Sequence, residues 1–177
     1  FSCGDDGLGL LCDTMNAPLR TPLKFEIQGL VQAMVQNQNS DNMSCRLSNA
    51  QWDVLATYLQ PFALTQNQVL IEQGAKDSTV YFLESGQLSV HYEDVKGRVR
   101  LAIVPAGSAV GEGAFFTHAA RNATVQAMAS SKVWCLTPMR FAELSNRNPA
   151  IALDLTLALG SLLGRRMANK PKRVAVT

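Results

Sequence analysis

The apolar positions change their rhythm twice along this chain. From residue 21, TPLKFEIQGLVQAMVQNQN places Ile27, Leu30, Val31, Met34 and Val35 on one helical face. Thr21 can cap that helix, Pro22 suits its first position, and the polar run NQNSDN ends it. A second helix is predicted in LSNAQWDVLATYLQPF. Ser48 and Gln51 stand at capping-box spacing, Trp52, Leu55, Ala56 and Leu59 form its buried stripe, and Pro61 stops it. At residue 69 the texture shifts. VLIEQG, STVYFLESG, QLSVHYED, RVRLAIVPAG, RNATVQAM and KVWCLTP are short, rich in β-branched and aromatic residues, and divided by Gly, Asp or Pro. EDVKG reads as a hairpin turn. After Pro138 helical spacing returns, in a short helix over MRFAELSNRN and a longer one over PAIALDLTLALGSLLGRRMANK, opened by Pro149.

That order predicts a mixed α+β fold: a small antiparallel β-roll or jelly-roll barrel, flanked by N-terminal helices and a C-terminal helix pair. Three parts follow. Residues 1–45 form an extension with one amphipathic helix, 46–148 the roll with its leading helix, and 149–177 a lid or dimerisation helix with a basic tail. Residues 1–20 show no clear period. The last helix is apolar on nearly every side. Ile151, Leu155, Ala158 and Leu162 make one stripe, which Leu153, Leu157 and Leu163 widen. Gly160 and Gly164 each cost roughly 1 kcal/mol relative to alanine, so another backbone is expected to come close there. Packing on the chain's own barrel and a seam between two copies explain this equally well.

Composition narrows the field. Apolar residues make up 47% and charged residues 17%, which supports a real core and argues against a largely disordered chain. A net charge of +2 does not by itself mark a nucleic-acid binder. The basic residues Arg165, Arg166, Lys170, Lys172 and Arg173 crowd the C-terminus, as a solvated tail or a contact for an acidic partner. No apolar run reaches the ~18 residues of a membrane span. The acidic N-terminus does not resemble a signal peptide, so no membrane contact and a cytoplasmic location are expected. Cys3, Cys12, Cys45 and Cys135 form no CxxC pair and read as free thiols; they are spaced unlike an iron–sulfur cluster set. With His91 and His118 the only histidines, no metal site is expected.

One stretch carries chemistry. In GEGAFFTHAARNATV, residues 111–125, a glycine-punctuated loop could turn into a short helix whose first amides lack partners and favour an anion. Arg121 adds a permanently charged fork that suits phosphate oxygens. Glu112 would repel that phosphate and is better used to accept from a sugar hydroxyl. Phe115, Phe116 and Ala123 would wall the site. The competing reading is a Glu112–Arg121 salt bridge that only staples the loop. His118 reads as a solvated loop residue.

The span from about Leu55 to Met167 resembles the cyclic nucleotide-binding domain of catabolite activators, protein kinase A regulatory subunits and cyclic nucleotide-gated channels. VLIEQGAKDSTVYFLESG is similar to that family's first signature, through Gly74, the run Val80–Leu83, and Gly86. VGEGAFFTHAARNATV resembles its phosphate-binding cassette, with Gly111, Glu112, Ala114, Arg121, Ala123 and Thr124 in register. The resemblance implies that Arg121 pairs with the cyclic phosphate and that Glu112 accepts from the ribose 2′-hydroxyl. Amides at Gly113 and Ala114 would face the phosphate, Ala123 would line the pocket, and Val99 and Leu101 would touch the base. Asn122 departs from the usual small residue and leaves cAMP against cGMP open. Gly113 replaces a larger apolar residue, which loosens the cassette helix. Asp77 stands where a small residue is usual, in a turn where it should cost little.

The expected function is therefore a stand-alone, non-catalytic sensor that binds cAMP in preference to cGMP, needs no cofactor, and signals by moving its flanking helices. A homodimer through the last helix and an output protein of unidentified kind are its expected partners. Too few residues follow the long helix for a helix-turn-helix, so no DNA binding is expected from this chain. The alternatives are a fragment of a catabolite-activator-type regulator, or a degenerate sensor for another anion or no ligand.

Overall fold

The computed structural model describes residues 26–97 and 99–169. Thr21, Pro22, Cys3, Cys12 and the basic positions from Lys170 onward lie outside the described residues. The first helix, α1, spans Gln28–Gln36 and buries Ile27, Leu30 and Met34, while Val31 is half-buried. Val35 was expected on the same face but points to solvent, because half-buried Val31 already marks the edge of the buried stripe and Val35 lies beyond it. Helix α2, Asn49–Ala56, starts with the expected capping box. Gln51 N donates to Ser48 Oγ at 3.3 Å, and Ser48 N donates to Gln51 Oε1 at 2.9 Å. Ser48→Ala should lower stability by about 1 kcal/mol, read from the midpoint of urea unfolding.

Pro61 does not stop this helix. The helix ends at Ala56, and Gln60–Leu64 forms strand β1, with Pro61 opposite Trp134. Proline is tolerated there because β1 is an edge strand. The remaining strands are β2 Val69–Ile71, β3 Val80–Ser85, β4 Gln87–Glu93, β5 Val99–Pro105, β6 Ala109–Val110, β7 Thr124–Ala127 and β8 Ser131–Leu136. They form two antiparallel sheets, in orders β1-β8-β3-β6 and β2-β7-β4-β5, and not a closed barrel. The β4–β5 hairpin closes through EDVKG, where Lys96 N donates to Asp94 Oδ1 and Gly97 N to Asp94 O, both at 2.9 Å.

Alternation along β3 and β8 divides the core in two. Tyr81, Leu83 and Val133 face the roll interior with Leu64, Ile71, Leu88, Val104 and Val125. Val80, Phe82, Trp134 and Leu136 face the helices, where they meet Leu30, Trp52, Leu55 and Leu155. Helix α3, Glu112–Thr117, lies between β6 and β7. Helix α4, Pro138–Arg147, is capped by Thr137, and α5, Pro149–Ala168, follows directly through Asn148.

Helix α5 buries Ile151, Leu155, Ala158 and Leu162, as the spacing predicts. Leu153 and Leu157 do not widen that stripe; they are 59% and 62% exposed. At Gly160 and Gly164 no atom lies within 4 Å of a built Cβ, so no other backbone of the described residues approaches them. Leu153, Leu157, Gly160, Gly164 and Met167 instead form an open line along the helix. Among the described residues, no helix is long and apolar enough to cross a membrane. Cys45 and Cys135 are free thiols, and burial pushes Cys45 up to about 11, which keeps it protonated and unreactive.

Candidate functional site

The site begins where β6 ends. Gly111 has φ 87°, and a Cβ there would lie 2.5 Å from Arg121 Nη1 and 2.8 Å from the Thr79 carbonyl oxygen. Only glycine satisfies both the left-handed backbone and that closeness. The turn releases the chain into α3, which places Glu112 and Gly113 in the first helical turn. His118 closes the helix at φ 54°, with its amide on the Ala114 carbonyl at 2.8 Å. Phe115 and Phe116 do not wall the cassette. Phe115 sits 5.2 Å from the Phe141 ring, and both phenylalanines pack with the helical core.

Arg121 is held first by its backbone. Its amide donates to Ala75 O and its carbonyl accepts from Gly74 N, each at 2.8 Å, which ties the end of the cassette loop to the loop after β2. The guanidinium is buried. Nε donates to Asp77 Oδ2 at 2.9 Å, Nη2 to Asp77 Oδ1 and to Thr79 O, and Nη1 to Gly111 O at 3.2 Å. Arginine has five N–H donors. Four serve the protein here, so among the described residues one Nη1 hydrogen has no protein acceptor, where the sequence suggested an open fork. The Arg121 hydrogen bond holds the Asp77 carboxyl below its usual range, against the opposing effect of burial. Asp77 is thus part of the site's charge balance rather than an inconsequential turn residue.

Glu112 takes a different partner. Arg166, in the last turn of α5, donates from Nη1 to Glu112 Oε1 at 2.6 Å and from Nη2 to Ser108 Oγ at 3.0 Å. Its Nε reaches Asp41 Oδ1 at 3.4 Å. Burial works against the Arg166 charge, but Glu112 and Asp41 outweigh it and hold that charge firmly. The Glu112–Arg121 pair that would have stapled the loop is therefore not formed.

Gly111, Glu112, Gly113, Ala114 and Arg121 gather around one turn, with Ala123 half-buried and Asn122 exposed just beyond. Val99 and Leu101 are elsewhere. They lie across from Glu93 and His91 on the outer face of their sheet, 46% and 40% exposed, while Val90 and Val104 of the opposite face line the roll interior. Strand alternation, invisible without the register, separates them from that interior. The sequence reading missed Asp77 and Arg166 as site residues. A carboxylate at an unexpected loop position and paired arginines ending an apolar helix were the available signals.

Among the described residues, eight strands in two antiparallel sheets, a short helix between β6 and β7, and helices on one outer side define a β-roll. Residues 61–148, about half of the chain, match the family model described as the cyclic nucleotide-binding domain, and the chain belongs to that family. It is 31% identical over 98 residues to a cGMP-dependent protein kinase of Plasmodium berghei, covering 53% of this chain and 11% of that protein. Over 107 residues it is 30% identical to the cAMP-activated global transcriptional regulator CRP of Salmonella typhimurium, covering 59% of this chain and 49% of that one. The chain thus spans at most about half the length of these relatives. Among solved structures, a cyclic nucleotide-binding domain from Methylobacillus flagellatus superimposes with a TM-score of 0.73 at 20% identity, over 84% of this chain and 82% of that one. The catabolite activator protein of Thermus thermophilus gives 0.63 at 23%, over 72% and 58%. At these identities the two structures support the fold alone.

Proposed function

We propose that this domain is a non-catalytic sensor of a 3′,5′-cyclic nucleotide, cAMP in preference to cGMP, that works in the cytoplasm without a cofactor and signals through its flanking helices. The observation that carries it is a buried Arg121 touching the Gly111 turn, inside the span that matches the family. The free Nη1 hydrogen of Arg121 and the first amides of α3 at Gly113 and Ala114 would meet the cyclic phosphate, and Glu112 would accept from the ribose 2′-hydroxyl. Ala123 would line the pocket. Titration calorimetry with cAMP and cGMP tests the reading; no heat from either would reject it.

A second reading, a domain that no longer takes a ligand, draws on the partners already filling both charged groups: Asp77 at Arg121 and Arg166 at Glu112. The same titration decides between them. Since the chain spans 49% of its CRP relative, a role as the sensory part of a transcription regulator belongs with the first reading.

The exposed line on α5 supports a homodimer. Its residues follow one another at intervals of four and three, the repeat that lets two helices share a seam, and the two glycines would let the backbones come close. Leu157→Glu should convert a dimer to a monomer in light scattering. A wild-type protein that is already monomeric at high concentration would remove the dimer.

A further inference from the structure

The two groups that a cyclic nucleotide would use are closed off. The Arg121 side chain is 2% exposed and that of Glu112 is 9% exposed. What closes Glu112 is the end of α5. Arg166 bonds Glu112, Ser108 and Asp41, and its neighbour Arg165 donates to the carbonyls of Ser40 and Asn42. Two successive arginines therefore tie the last turn of α5 both to the cassette and to the 40–42 loop. An ionised Glu112 can only accept, and Arg166 can only donate. A sugar hydroxyl that takes Glu112 Oε1 must compete with the guanidinium for that oxygen.

We propose that Arg166 is a latch: it occupies Glu112 in the ligand-free protein, and a ligand hydroxyl bound at Glu112 displaces it towards Asp41, freeing the end of α5 from the cassette. This rests on the cyclic nucleotide reading of the site. Asp41 makes the exchange feasible. A buried guanidinium left without a carboxylate is strongly unfavourable, and Asp41 Oδ1 is already 3.4 Å from Nε, ready to keep the charge paired. Ser108 stands on the cassette side, so the displaced group loses its contacts with the cassette and keeps its contact with the loop. The ligand shifts α5 only by the difference between its contact with Glu112 and the one that Arg166 surrenders.

Two variants give opposite signs. Arg166→Gln removes the latch, so cAMP should bind about tenfold tighter by calorimetry, the worth of one charge-assisted contact. Asp41→Asn takes away the receiving carboxylate, so cAMP should bind several-fold more weakly. Hydrogen exchange provides a second readout on the full chain. Amides of residues 162–169 should exchange faster in ligand-free Arg166→Gln, and also in wild type saturated with cAMP, while those of β3 should not change. Weaker cAMP binding by Arg166→Gln overturns the latch, as does unchanged exchange over 162–169 in both samples. If cAMP binds neither wild type nor variant, the cyclic nucleotide reading fails; the ligand-free exchange then decides whether Arg166 ties α5 down, faster exchange supporting the tie and unchanged exchange ending it.

Discussion

Alanine at position 121 should weaken cAMP binding by roughly tenfold to a hundredfold, the equivalent of losing one charge-assisted contact of about 1.5–3 kcal/mol. The loss has two sources. The cyclic phosphate would no longer meet a guanidinium, and the turn that presents the α3 amides would lose the bond from Nη1 to Gly111 O. Asp77 is half-exposed and can rehydrate, but the Thr79 carbonyl loses its donor as well. Lysine should recover little, since a single ammonium cannot bridge a carboxylate and two carbonyls in one plane. Calorimetry on the purified variants checks this, and undiminished affinity in Arg121→Ala would reject the role given to the residue.

Alanine at Gly111 should be the most damaging small substitution in the site. A left-handed backbone costs a residue with a Cβ about 1–2 kcal/mol. The added carbon would also press on Arg121 Nη1 and on the Thr79 carbonyl, and the second of these is backbone and cannot swing away. Overpacking of that kind adds about 1–3 kcal/mol, so a total loss of about 2–5 kcal/mol is expected in denaturant unfolding. A loss below about 1 kcal/mol would show that the turn relaxes readily.

Most of the architecture was legible because local patterns and the global fold agree. The capping box at Ser48, the β4–β5 turn and the helices after Thr137 are all written in adjacent residues, where spacing alone has structural meaning. Errors arose where distant partners decide. Gln60–Leu64 became a strand because β8 pairs with it, against the helical reading of the preceding residues. Leu153 and Leu157 look like core by composition, yet among the described residues the helix has only one side to bury. The chemistry divides in the same way. Glu112 and Arg121 stand out from the short stretch that holds them, and both lie at the Gly111 turn. Their actual partners, Arg166 and Asp77, are separated from them by 54 and 44 positions. No periodicity spans such distances.

The split of the apolar interior leaves the molecule with its own optical probe. Both tryptophans of the chain, Trp52 and Trp134, belong to the compartment shared by the helices and the outer side of one sheet. Indole emission therefore reports chiefly on rearrangement among the helices. A spectral change on adding nucleotide would place the response in that helical compartment.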